Sequence, residues 1–290
     1  MNIIFTINGG LGKSIFATAV LKAIRKKYHD AKIIVVTGYP DVFLNVPYVD
    51  FAFNHGQETY FYEKYIQNQE FLVFAQEPYL VTEHIQQKEH IIESWCRLCG
   101  VPYQGEQPEV YLTERELTYY SIKYNSDKPI MVLQSNGGGQ QDLKYSWARD
   151  MPAVVVNSII QEFSSKYNIY HIRREDQFGY ENTTPVHESY KGIACLIARS
   201  QKRLFIDSFC QHLSAALKLK STVLWIANSP NVFGYKTHDN IICNPETKKP
   251  DLRNSLYSKY NIGGALIEFP YEKDTEIFNI DKILDSLYSQ

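Results

Sequence analysis

Leu204-Phe205-Ile206-Asp207-Ser208-Phe209-Cys210-Gln211-His212-Leu213-Ser214-Ala215-Ala216-Leu217 decides how this chain folds. An apolar run with strand character ends in Asp-Ser, and a segment of small and apolar residues with helical spacing starts at once. A strand that feeds directly into a helix leaves the orphan amides of the helix's first turn at the carboxyl edge of a sheet. Those amides and the helix dipole both favour an anion, and a diphosphate suits them. A second apolar run, Ser221-Thr222-Val223-Leu224-Trp225-Ile226, reads as the next strand.

The same alternation extends to both sides. Strands are expected at Asn2 to Ile7, Lys32 to Thr37, Phe51 to Phe53, Phe71 to Ala75, Ile130 to Gln134 and Ile169 to Ile172. Helices are expected at Lys13 to Tyr28, Gln86 to Leu98, Glu114 to Tyr124, Ala153 to Tyr167 and Lys191 to Arg199. Alternating strands and helices form parallel sheets covered on both faces, with ligands at the carboxyl ends of the strands. The polar, proline-terminated stretch Asn125-Ser126-Asp127-Lys128-Pro129 reads as a linker. It divides the chain into an α/β domain over 1–126 and a second over 127–273. The tail, 274–290, is expected to form a helix that packs back on the first domain.

Composition limits the function classes. The 290 residues are 44% hydrophobic and 21% charged, which suits a globular chain with room for two cores. A net charge of −2 gives no chain-wide drive toward nucleic acid or an anionic membrane surface. Met1 leads straight into a strand, no apolar run has membrane-spanning length, and the five cysteines are scattered. A cytoplasmic protein with reduced thiols is the expectation. Cys96-x-x-Cys99 lacks a second ligand pair, so no metal site is expected.

Asn8-Gly9-Gly10-Leu11-Gly12-Lys13-Ser14 looks first like a phosphate loop. The usual spacing needs a glycine where Ile7 stands, and the ParA/MinD ATPase variant needs a lysine where Asn8 stands. An ATPase also needs an acidic Mg²⁺ partner, yet the second strand ends in Val36-Thr37-Gly38. A strand-to-helix turn that lets a sugar or acceptor approach the backbone fits the glycines equally well.

Two further segments complete the pattern: Tyr28-His29-Asp30-Ala31-Lys32-Ile33, which opens the second strand, and Asn45-Val46-Pro47-Tyr48-Val49-Asp50. With the Asp207–His212 stretch they resemble the ADP-heptose:lipopolysaccharide heptosyltransferases of glycosyltransferase family 9. The resemblance implies a GT-B fold, two Rossmann-like doubly wound domains facing a central cleft. It implies a donor site in the second domain at Asp207, Ser208, the backbone of Phe209 and Cys210, and His212. Phe209 stands where the family prefers glycine. Lys144, in Lys144-Tyr145-Ser146-Trp147-Ala148-Arg149 after Gly137-Gly138-Gly139, corresponds to the family's phosphate-binding lysine. The loop Asn231 to Ile241 corresponds to a wall of the donor site. Gly9, Gly10, Gly12 and Lys13 form the acceptor-side loop. The family's catalytic base is an Asp at the position of Lys13, so the resemblance leaves the base unassigned.

His171-Ile172-Arg173-Arg174-Glu175-Asp176 resembles the His-x-Arg-Arg-x-Asp motif of fucosyltransferases that use GDP-fucose, and adds Arg173 to the donor candidates. The expected activity is transfer of a sugar from a nucleoside-diphosphate sugar to an acceptor hydroxyl on a surface glycan or lipid-linked precursor. No cofactor or metal is expected, and peripheral membrane contact is compatible with such an acceptor. The alternatives are a fucosyltransferase-like enzyme, transfer to a modified DNA base, the ParA/MinD-type ATPase, and a sugar-nucleotide-binding protein without turnover.

Overall fold

The structure is a computed structural model that describes residues 1–137, 146–249, 271 and 277–290. Lys144 and the glycines at 138 and 139 therefore lie outside the described residues. The chain forms two units, Met1–Leu112 and Thr113–Gln290.

In the first unit, β1 (Asn2–Ile7) runs through the glycine turn into α1 (Leu11–Lys27), followed by β2 (Lys32–Thr37) and β3 (Phe51–Phe53). The short α2 (Phe61–Tyr65) leads to β4 (Phe71–Phe74), then α3 (Thr82–Ile85) and α4 (Ile91–Leu98). The sheet is parallel with strand order β3-β2-β1-β4, so the order reverses at β1. Phe5 of β1 packs on Trp95 of α4 at 5.1 Å between ring centroids, and Phe16 of α1 meets the same ring edge-on at 5.8 Å. Ile4, one residue out of phase, joins Ile34 and Tyr65 in a separate cluster. The period-2 alternation of strands thus supplies both faces from one apolar run. α1 ends in Arg25, Lys26 and Lys27, which complement the negative end of its dipole.

The second unit opens with α5 (Glu114–Lys123), started by a capping box between Thr113 and Glu116. β5 (Ile130–Leu133), α6 (Ala153–Phe163), β6 (Asn168–Ile172), β7 (Thr184–Val186) and α7 (Tyr190–Arg199) follow. Then come β8 (Lys202–Ile206), α8 (Phe209–Ala216), β9 (Thr222–Trp225), α9 (Pro230–Phe233), β10 (Asp239–Ile242) and α10 (Ile280–Tyr288). Its sheet is parallel, in the order β10-β9-β8-β5-β6-β7, and reverses between β5 and β8. Met131, Leu133, Leu204, Ile206 and Leu224 form one buried core with Val155, Ile159 and Phe163 of α6.

Three expectations are corrected. The boundary falls at Leu112, not at 126, because α5 belongs with α7. Glu116 pairs with Lys191 at 3.0 Å, and Glu188 gathers Tyr120, Lys123 and Tyr124. The C-terminal helix belongs to the second unit. Ile283 and Leu287 of α10 complete the second unit's core, Ser286 bonds Thr222 at 2.6 Å, and Gln290 clasps the backbone of Arg203. The segment read as a loop to Ile241 ends in an edge strand, β10, and β7 went unread because it is short and contains Pro185. Among smaller differences, α1 begins at Leu11, so Gly12 is helical, and α4 begins only at Ile91.

Gly192 allows the α5–α7 contact: a Cβ built there would lie 2.6 Å from the Tyr120 hydroxyl oxygen. Gly192→Ala is therefore expected to destabilise the second unit by about 1–3 kcal/mol, as overpacking does. A urea titration followed by tryptophan fluorescence reads this as a lower midpoint. An unchanged midpoint would contradict the packing.

Candidate functional site

Because all six strands of the second sheet run the same way, their carboxyl ends share one edge. β8 ends there in Asp207 and Ser208, and α8 starts at the next residue. Ser208 is extended and is the N-cap residue, yet its side chain makes no capping bond. Its hydroxyl instead accepts from Gln134 Nε2 at 3.1 Å, across from the end of β5. Asp207 accepts from Asn228, which follows β9. The N-cap side chain leaves the first amides of α8 to other partners, and the ends of three adjacent strands are held together around them.

The Cys210 side chain is buried and its thiol pKa is raised by desolvation, so only the backbone of Cys210 faces this edge's chemistry. His212 is buried as well, with Nδ1 2.8 Å from the Tyr235 hydroxyl. Tyr235 is in turn packed edge-on against His238, whose Nε2 lies 3.0 Å from the Gln211 carbonyl. The ring expected to reach phosphate is thus held in a buried aromatic and amide cluster.

The neighbouring edge of β5 and β6 is built from buried polar groups. Asp150 accepts from the amides of Gly137 and Ser146, each at 2.8 Å, and from Asn136 Nδ2 at 3.0 Å. It thereby ties the two ends of the stretch that carries Lys144. Burial raises the Asp150 pKa against the pull of these donors. Arg173 bonds the carbonyls of Arg174, Glu175 and Gln177, and lies against Gly179. Arg174 pairs with Asp176 at 2.9 Å. The arginine pair of the fucosyltransferase-like motif therefore shapes its own turn. His171 bonds Ser135 at 2.8 Å, and burial lowers its pKa to about 4.

In the first unit the turn after β1 uses Gly9 at φ +121°, a conformation that favours glycine. Gly10 is the N-cap of α1, and a Cβ there would meet nothing within 4 Å. Lys13 does not reach outward. Its side chain is 3% exposed, and Nζ pairs with Glu77 Oε2 at 2.6 Å. The ammonium also sits 4.9 Å from the Tyr79 ring and 5.3 Å from the Trp95 ring. Burial lowers the Lys13 pKa, and Glu77 opposes that shift.

Gln134, Asn228, Asp150 and Glu77 are absent from the residues singled out in the sequence. Three of them have one weak sign there: Gln134 and Glu77 are polar residues at or just beyond a strand's carboxyl end, and Asn228 follows β9. Only the strand order shows that they meet residues from other motifs.

No protein-family model and no curated protein sequence matches the chain. Solved structures do. E. coli ADP-heptose lipopolysaccharide heptosyltransferase II superposes with a TM-score of 0.69 at 12% identity, covering 100% of this chain and 98% of that one. A family 9 glycosyltransferase from Veillonella parvula gives 0.66 at 12% identity, over 99% and 96%. E. coli heptosyltransferase WaaC with ADP gives 0.55 at 12% identity, over 84% and 94%. The fold is that of the family 9 glycosyltransferases. It comprises two Rossmann-like units, as the motifs implied. At this identity the fold is shared while most side chains differ. No helix among the described residues is long and apolar enough to cross a membrane.

The buried His171 makes a pH test of the polar edge. Its folded pKa of about 4 lies below the unfolded value of about 6.5, so the unfolded chain binds the proton first. The associated stability is present above about pH 6.5 and is lost as pH falls toward about 4. At pH 5 His171 alone is expected to cost about 2 kcal/mol relative to pH 7.5. Urea midpoints at the two pH values should differ less in His171→Gln than in the wild type. Equal slopes would show that His171 is not desolvated.

Proposed function

We propose that this chain is a glycosyltransferase that binds a nucleoside-diphosphate sugar in its second unit and transfers the sugar to an acceptor hydroxyl. The observation that carries this reading is the uncapped N-terminus of α8 at the switch point of the second sheet, with Ser208 turned to Gln134. Oriented amides and the helix dipole suit a diphosphate, and they stabilise the charge that develops on it as the sugar departs. The shared fold supports the same reading, since its solved examples include heptosyltransferases and one of these was described with ADP.

On this reading Ser208 and the backbone amides of Phe209 and Cys210 bind the diphosphate, without a metal ion. Asp207, oriented by Asn228, serves the donor's hydroxyl groups. His212 supports the helix rather than the ligand, and Arg173 shapes the loop beside it. Lys144 remains the proposed cation for the leaving group. The first unit presents the acceptor at the Gly9–Gly10 turn. A surface glycan or its lipid-linked precursor, modified at the cytoplasmic side, fits this chemistry. The ParA/MinD-type reading loses its main support, because the lysine it needs for phosphate is buried against Glu77.

A thermal-shift screen against ADP-, UDP-, GDP- and CMP-sugars, and against ATP with Mg²⁺, tests the reading. One sugar nucleotide is expected to raise the melting temperature without added metal. Stabilisation by ATP with Mg²⁺ alone would refute it. Ser208→Asp gives a sharper check. A carboxylate at the N-cap satisfies the α8 amides, so the folded state should hold or gain stability. The same charge repels a diphosphate, and the donor is expected to bind about 10- to 100-fold more weakly. Unchanged donor affinity in a calorimetric titration would place the diphosphate elsewhere.

A further inference from the structure

We propose that Glu77 is the general base of the transfer, with Lys13 as the positioning residue that holds its carboxylate. This rests on the glycosyltransferase reading above. The argument begins with register. β4 pairs with β1 from Asn2↔Phe71 to Phe5↔Phe74, so the chain leaving β4 runs beside the glycine turn that leaves β1. Glu77, three residues past β4, therefore arrives at the turn assigned to the acceptor. Gly10 has open space where a side chain would stand, which leaves room there for an acceptor.

Lys13 cannot take the proton itself. Its Nζ is enclosed by Tyr79, Trp95 and the Glu77 carboxylate, and an ammonium in an ion pair has no lone pair to offer. Glu77 differs on each point. Its side chain is 35% exposed. Oε2 takes Lys13 at 2.6 Å, and among the described residues Oε1 takes only the Tyr79 amide at 3.3 Å, which is long for a charged acceptor. A carboxylate has about four lone-pair directions, so an acceptor O–H can still be met. Pro78 directly after it, and the 3₁₀ turn that Glu77 caps, restrict the backbone from which the carboxylate projects.

The step balances without a further reactant. The acceptor oxygen bonds to the anomeric carbon while its proton passes to Glu77. The bond from that carbon to the diphosphate oxygen breaks, and its electron pair leaves with the nucleoside diphosphate. The hydroxyl is most acidic as its oxygen bonds to carbon, so a carboxylate suffices as the acceptor of the proton.

The experiment uses the full chain and the sugar nucleotide selected from the ADP-, UDP-, GDP- and CMP-sugar panel. Release of nucleoside phosphate is measured with water as the acceptor, so no glycan is needed. Glu77→Gln keeps a partner for Lys13 and is expected to lower kcat at least about 100-fold, the usual scale of a lost base, with donor affinity within about 3-fold. Glu77→Ala should regain turnover on addition of sodium formate, which supplies a carboxylate. A purely structural glutamate would show no such rescue. Melting temperatures of both variants confirm folding, and Glu77→Asp, which keeps the charge, serves if either fails. Wild-type turnover that survives in Glu77→Gln, or formate that restores nothing, overturns the base and leaves the transferase reading standing. Wild-type binding of a sugar nucleotide without any release of product overturns it too. A wild type that binds no member of the panel removes the transferase reading itself.

Discussion

Parallel strand pairing is the constraint on which the rest of this molecule depends. Strands of one direction need a crossover connection between each pair, so every strand's carboxyl end and the following helix's N-terminus fall on the same edge of a sheet. Both units obey this, with order reversals at β1 and between β5 and β8. At a reversal the two flanking connections lie on opposite faces of the sheet, and the edge opens. The Gly9–Gly10 turn and the start of α8 occupy those two openings. Residues far apart in sequence meet there: Lys13 with Glu77, and Gln134 with Ser208.

The strands and helices that carry the candidate site are legible from hydrophobic period and turn residues. β1, β2, β3 and β8 have unbroken apolar runs, and α8 follows β8 without a spacer. What escapes is short or polar. β7 is three residues long and includes Pro185, and β10 begins Asp239-Asn240, so neither has a strand's pattern. α5 has no buried residue, and nothing in its own sequence says which unit it joins. The answer sits in its partners, Gly192, Lys191 and Glu188. Local pattern reports elements, whereas membership of a unit is decided by contacts made at long range.

The candidate site divides the same way. Asp207 and Ser208 are legible because the strand-to-helix junction itself defines their place. His212 and Arg173 also attract notice as chemistry-bearing residues, yet His212 Nδ1 meets Tyr235 and Arg173 Nη1 meets backbone carbonyls. A buried polar group must find a partner, and a nearby turn or ring is the cheapest one. A residue type that could serve a ligand is therefore weaker information than an unmet donor at a strand end. The start of α8 comes nearer that standard, since the side chain placed to cap it is engaged with Gln134.

With Glu77 as the proposed base, a lysine at position 13 is compatible with a carboxylate at the acceptor edge. A lysine on the first turn of α1, enclosed by Tyr79 and Trp95, loses much of its hydration and needs a counter-charge. Glu77 supplies it from the neighbouring strand end. An aspartate on α1 and a glutamate after β4 would present a carboxylate to the same edge from two adjacent strands. The pair keeps one carboxylate at that edge while adding a cation beneath it. The cation fixes the direction of a neighbouring carboxylate, which a lone acid on the helix would have to achieve through backbone donors. Under the proposal, the base comes from the segment after β4 and not from the helix. The proposed diphosphate site at α8 belongs to the second unit's sheet.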